Sequence, residues 1–206
     1  QAIYTHLWDA DDVISVRVFE NTSDTTSNGL PPTGGEVVVY GGTDQDVAEI
    51  LFDTVPFTAH LTNGVNGSAV SVDVESEALD QTETILLSRP SMTSLELTLD
   101  LRIDETYVGD DAITDRLVDV IGGTDTAGGT VVGAAGIDQS VYVQTLEDAV
   151  VGDETGVIGV ASLTADTDGD GTDDTVTQNS LDAIPVSDGS VLQLAASDVS
   201  ITTTQI

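Results

Sequence analysis

The segment DTDGDGTDD (166–174) sets Asp166, Asp168 and Asp170 at alternate positions and follows them with Gly171. Calcium loops begin this way: positions 1, 3 and 5 supply oxygen ligands, and a glycine at position 6 allows the sharp turn. The pattern breaks at position 12, where Thr177 stands in place of the bidentate glutamate that closes such a loop. Asp173 or Asp174 is left to supply the last carboxylate. The candidate calcium ligands are Asp166, Asp168, Asp170 and Asp174, which without a closing glutamate would bind weakly if at all, and the favoured reading is an acidic turn joining two strands. No other cofactor is expected.

A second stretch, EVVVYGGTDQDVAEILFD (36–53), has the strand, glycine turn and helix start that often cradle a phosphate. Its own residues argue against an anion. Thr43 caps, Asp46 three residues on completes a capping-box pattern, and Asp44 adds negative charge to the first helical turn. A phosphate loop also wants a lysine after its glycines, and the chain has none. The turn is read as structural. His6 and His60 lie far apart with no spaced partner for zinc or acid–base work, and no G-x-S-x-G elbow is present. Paired carboxylates can hydrolyse glycosides, but with 37 acidic residues such pairs arise by chance everywhere. No catalytic residues are assigned and no enzyme is expected. Asn21 (NTS) and Asn66 (NGS) begin glycosylation sequons, which matter only in an exported protein.

These residues need elements to hold them. Residues 1–9 read as the end of a helix. Ile14, Val16 and Val18 alternate with Ser15 and Arg17 as in a half-buried strand. The Thr-, Ser-, Gly- and Pro-rich residues 21–35 lack periodicity and read as an exposed, mobile loop. Val47, Ile50 and Leu51 give an amphipathic helix after the glycine turn. SAVSVDVES and TETILLSRP read as a hairpin, and in SLELTLDLRI (94–103) Leu95, Leu97, Leu99, Leu101 and Ile103 share one face. Ile113, Leu117, Val120 and Ile121 mark a helix that ends in two glycines. A second helix is expected around 139–150 on Val143, Leu146 and Val150, followed by strands in GVIGVASLTAD and SVLQLAASDVSITTT. The fold class expected is α+β: two small α/β lobes of mixed sheets with packed helices and a strand-rich C-terminus, divided as 1–90 and 91–206.

The 206 residues can bury a core, and 39% hydrophobic content supports folding. The charge is extreme: 37 carboxylates against four arginines give a formal net charge of −33. Such a surface excludes nucleic acid as a direct partner. Self-repulsion of this size opposes compaction in dilute buffer but is largely screened in molar salt, where the Debye length is about 3 Å. A protein adapted to high salt is expected. Cysteine is absent, which removes disulfides and thiolate metal sites. No apolar run approaches the ~20 residues of a membrane-spanning helix, so no membrane insertion is expected. Gln1 in the first position is consistent with a processed chain or part of a longer one, with a signal peptide upstream not excluded.

The order of motifs resembles the baseplate J-like family of tailed viruses and contractile injection systems. DVISVRVFENTSDTTSNGLPP looks like that family's strand and Asn-rich loop, and EVVVYGGTDQDVAEILFD looks like its strand, Gly-Gly turn and helix. LLSRP, ending in Arg89 and Pro90, stands where the family has an Arg-Pro end of strand. VGDDAITDRLVDVI and YVQTLEDAVVGDETGVIGVASL then follow in the family's order. The resemblance covers most of residues 10–165. It implies a structural wedge subunit in a ring around a tail tube, located in the virion and assembled in the host cytoplasm, with other baseplate and tail proteins and its own copies as partners. Combined with the charge, it points to a tailed virus of a salt-loving archaeon. The rival expectation is an exported acidic cell-surface protein of a halophile, for which the sequons and the calcium-like turn would be natural.

Overall fold

The computed structural model describes residues 2–8, 10–55, 60–76, 81–133, 135–152, 154–168 and 183–206. Along the chain run α1 (Ala2–Trp8), β1 (Val13–Glu20), β2 (Gly34–Gly41), α2 (Asp44–Thr54), β3 (His60–Thr62), β4 (Ser68–Ser76), β5 (Gln81–Arg89), β6 (Ser91–Ser94) and β7 (Glu96–Ile103). Then come α3 (Asp110–Ile121), β8 (Gly123–Thr124), β9 (Thr130–Val131), β10 (Val141–Tyr142), α4 (Val143–Val150), β11 (Val157–Asp166), β12 (Ala183–Ile184), β13 (Ser190–Ala195) and β14 (Val199–Gln205). The protein is α+β, with mixed sheets and a strand-rich C-terminal part.

Two compact units make up the chain. The first comprises Gln1–Ser91 with two short returns, Gly136–Asp138 and Asp188–Ser190; the second comprises Met92–Ala135, Gln139–Ser187 and Val191–Ile206.

In the first unit, β2 is central. It pairs antiparallel with β1 on one side and parallel with both β5 and β3 on the other, and β4 completes the sheet as the antiparallel neighbour of β5. The β4–β5 pairing runs without a shift from Ser68↔Arg89 to Ser76↔Gln81, the hairpin the alternation predicts. Val37 and Val39 point to the face covered by α1 and α2, where they meet Leu7, Val47, Ala48, Leu51 and Leu87. By strand alternation the opposite face carries Glu36 and Val38, which are also fully buried. Ser15, expected on the polar side of β1, is buried because its hydroxyl accepts the Ile137 N–H from the first return segment.

In the second unit, β7 lies between β11, antiparallel, and β14, parallel. Leu95, Leu97, Leu99 and Leu101 are at most 1% exposed, while Glu96 and Thr98 face out, so the period-2 reading describes this strand. Against them pack Ile113, Leu117 and Ile121 of α3 and Val143, Leu146 and Val150 of α4. Val118 joins this core in full and Val120 only in part, a shift of the buried stripe from the one expected. The helix expected over 139–150 starts at Val143, because Val141 and Tyr142 pair with Ile184 and Ala183 instead. A second sheet runs β6-β13-β8-β9. Gly122 and Gly123 end α3 with φ of 94° and 141°, and a Cβ on Gly123 would overlap the Leu194 carbonyl beside it. The double glycine therefore both stops the helix and lets β8 lie against β13.

Candidate functional site

The glycine turn at the end of β2 is filled by the protein itself. Gly41 and Gly42 have φ of 82° and 66°, which a side chain rarely tolerates, and Gly42 donates to the Asp12 carbonyl at 2.7 Å. Thr43 caps α2 as its spacing predicts: its hydroxyl oxygen accepts from the Asp46 N–H at 3.1 Å and donates to the Asp46 carboxylate at 2.6 Å. The three carbonyls around the turn face Arg89. Its Nη1 donates to Val39 and Gly41 at 3.0 and 2.6 Å, and its Nη2 to Gly42 at 2.9 Å. Asp44, in the first turn of α2, completes the set from the acidic side. The turn thus presents carbonyls, a carboxylate and an occupied guanidinium, an arrangement that locks strand to helix and offers nothing to a phosphate.

Five residues before Gly41, Glu36 is fully buried on the helix-free side of the sheet. Its Oε1 accepts from the Ser88 hydroxyl at 2.5 Å and the Val65 N–H at 3.0 Å; its Oε2 accepts from the Asn66 N–H at 2.7 Å and the Asn66 side-chain amide at 2.8 Å. Four donors, none cationic, hold one carboxylate. The loop around 63–67 is thereby tied to β2 and β5, and Gly64 adds a bond to the Ser88 hydroxyl. Sequence reading passes over Glu36; its one signal is an acid placed directly before the three valines of a central strand.

The loop 21–35 is exposed over 24–29 and at 32 and 33, as its composition predicts, but it is anchored at Asn21. Asn21 is 7% exposed, and its Nδ2 lies 2.8, 3.1 and 2.9 Å from the carbonyls of Thr25, Leu30 and Pro31. Its Oδ1 accepts from the N–H and hydroxyl of Ser23. One amide side chain thus ties residues 23, 25, 30 and 31 together, and Leu30 is buried with it. Both sequon nitrogens are engaged, Asn21 with backbone carbonyls and Asn66 with Glu36.

Of the proposed calcium ligands, Asp166 ends β11 and is 5% exposed, and its Oδ1 accepts from the Asp168 N–H at 3.0 Å. Asp170 and Asp174 lie outside the described residues. Among the described residues no group of three or more His, Asp or Glu is placed to hold a metal ion. His6 on α1 and His60 on β3 are both exposed. His60 borders a cleft of about 300 Å³ in the first unit, whose walls include Ile3, Val18, Val37 and Leu61 with the carboxylate of Glu20. Asn21, Thr22 and Thr33 line the same cleft. No helix among the described residues is long and apolar enough to cross a membrane.

No protein-family model and no curated protein matches the chain.

Proposed function

We propose that the chain is a non-catalytic structural subunit of a tailed-virus baseplate, one of the wedge components in a ring around the tail tube, working in a salt-rich host environment. The observation that carries this reading is the use made of Arg89. The Gly-Gly turn and the Arg-Pro strand end, two motifs on which the resemblance rests, are two halves of one hydrogen-bonded fastener. A guanidinium taken up by backbone carbonyls and a carboxylate supports a structural use of these motif residues. A baseplate role also needs broad contacts between subunits that are all acidic, which molar salt allows by screening their repulsion.

The exported cell-surface reading is less well supported, because the Asn21 amide nitrogen would have to leave three backbone carbonyls, and that of Asn66 its bond to Glu36, before either met a glycosyltransferase. Antibody labelling and mass spectrometry of purified particles test the proposal. The protein is expected at low, fixed copy number at the distal end of the tail, with the tail's rotational symmetry. Finding it over the capsid, along the whole tail, or in a host envelope free of virus overturns the assignment.

A further inference from the structure

An open sheet edge is a template for pairing with another chain, and folded proteins blunt their edges with charges, bulges, short strands or covering groups. Among the described strands nearly every edge is blunted. β1 carries Arg17 and Glu20, has a register shift between Val13 and Ser15, and has its Val18 N–H taken by the Tyr4 hydroxyl. β4 carries Asp73 and Glu75, and its Val70 carbonyl is taken by the Asn63 amide. β11 has two register shifts and ends in Asp166. β6 has four residues, and β9, β10 and β12 have two each.

β14 is different. Its seven residues, VSITTTQ, hold no charge and no proline, in a chain with 37 carboxylates. Its pairing with β7 runs from Val199↔Leu97 to Gln205↔Ile103 without a shift, so the strand carries no bulge against β7. Ser200 and 202–205 are exposed, and β14 is the end strand of its sheet.

We infer that β14 is a homotypic assembly seam: it pairs edge to edge with β14 of a second copy, antiparallel about a two-fold axis, continuing the three-stranded sheet into the partner. Two features select this occupant. Two copies each bearing a formal charge of −33 can approach closely only along a strip without charge, and β14 is such a strip. Among the described strands of four residues or more, the unblunted edge a second copy offers is again β14, and a strand facing its own twin across a two-fold axis is necessarily antiparallel. Ser200, Thr202 and Thr204, on the outer face, would then meet hydroxyls across the seam with no like charges opposed. The inference stands whether or not the baseplate assignment does.

The absence of cysteine makes the test clean. Sedimentation in molar salt should show a concentration-dependent dimer. Its dissociation constant should be on the order of 10⁻⁵ M, weak because a single strand pair buries less than the roughly 1,200 Å² of a standard interface. Single-cysteine variants Ser200→Cys, Thr202→Cys and Thr204→Cys, checked for wild-type circular dichroism, should give a disulfide-linked dimer at the position nearest the two-fold axis. Ser71→Cys on the edge of β4 should stay monomeric under the same oxidation. Thr202→Asp with Thr204→Asp should weaken the dimer at least tenfold. A chain that stays monomeric up to about 0.5 mM, a dimer indifferent to the paired aspartates, or cross-linking at Ser71→Cys in place of β14 overturns the inference.

Discussion

Nε of Arg89 donates to Oδ1 of Asp44 at 2.8 Å, and Nη2 lies 2.7 Å from the same oxygen, so the last residue of β5 holds the first turn of α2. The two partners do not contribute equally. The Arg89 side chain is 22% exposed and also serves three backbone carbonyls, whereas the Asp44 side chain is 53% exposed. Removing the arginine strands carbonyls away from water; removing the aspartate leaves the guanidinium with its other partners. Arg89→Ala should therefore cost about 3 kcal/mol and Asp44→Ala at most about 1 kcal/mol in denaturant unfolding. Arg89→Lys should recover only part of the loss, since an ammonium lacks the planar fork. Equal costs for Arg89→Ala and Asp44→Ala would place the strength in the ion pair and refute the carbonyl account.

Glu36→Gln keeps the shape of the buried side chain and replaces one acceptor oxygen with a donor. One side of the cage then sets donor against donor, whether toward Ser88 and Val65 or toward Asn66. A loss of roughly 2–4 kcal/mol is expected. Hydrogen exchange locates the effect: the Val65 and Asn66 amides should exchange faster, while those of β7 in the other core keep their protection. Unchanged exchange at 65 and 66 would mean that the carboxylate does not hold this loop.

What the sequence makes legible, and what it hides, divides along a physical line. β4, β7 and α3 are set by burial of alternate or helically spaced apolar side chains, and that burial leaves a periodic trace. The Asn21 loop is set by side-chain hydrogen bonds two to ten positions long, and the Glu36 cage by bonds that span far more of the chain; Glu36 reaches Asn66 across thirty positions. Such bonds have no period, and a polar stretch tied by an asparagine has the composition of a mobile one. Arg89 was visible as half of a motif, but its partners at 39, 41 and 42 become evident only when β2 and β5 lie side by side. The returns at Gly136–Asp138 and Asp188–Ser190 are hidden for the same reason: three residues are too few to carry a pattern. Of the calcium-loop residues, Asp166 and Asp168 are joined by one short-range hydrogen bond.

Leu99 is fully buried at the centre of β7, in register with Leu163 and Ile201, while neighbouring Thr98 is exposed. Leu99→Ala should cost roughly 2–5 kcal/mol through lost contacts and a cavity, and Thr98→Ala only a few tenths. Comparable losses at the two positions in urea unfolding would show that the face assignment is wrong.

Tyr107 donates to Oδ1 of Asp110 at 2.7 Å beside the start of α3. Burial, followed by this hydrogen bond and the negative charge of Asp110, pushes its phenol above the ordinary range. The folded protein therefore keeps a proton that the unfolded chain releases near pH 10, and stability falls as pH rises through that value. Between pH 9 and pH 11, urea midpoints should drop less for Tyr107→Phe than for the unmodified protein. An equal drop would remove Tyr107 as a source of alkaline sensitivity.

Among the described residues only three ion pairs form, Arg17–Asp138, Arg89–Asp44 and Arg116–Glu154. With 37 carboxylates and no lysine, almost all of the negative charge faces only other negative charge. Pairing within the chain cannot offset that repulsion, and the remaining means is screening by dissolved ions. At about 0.1 M salt the screening length is ~10 Å, long enough for neighbouring surface carboxylates to repel; at molar salt it is about 3 Å, shorter than most of their separations. Repulsion acts on the compact state more than on the expanded one, so its relief stabilises the fold. Thermal unfolding followed by circular dichroism should show a midpoint that rises continuously from 0.1 M to several molar potassium chloride, with partial unfolding at the dilute end. Screening predicts the same gain from sodium and potassium chloride at equal ionic strength. A midpoint that does not move with salt would show that the two apolar cores already outweigh the charge.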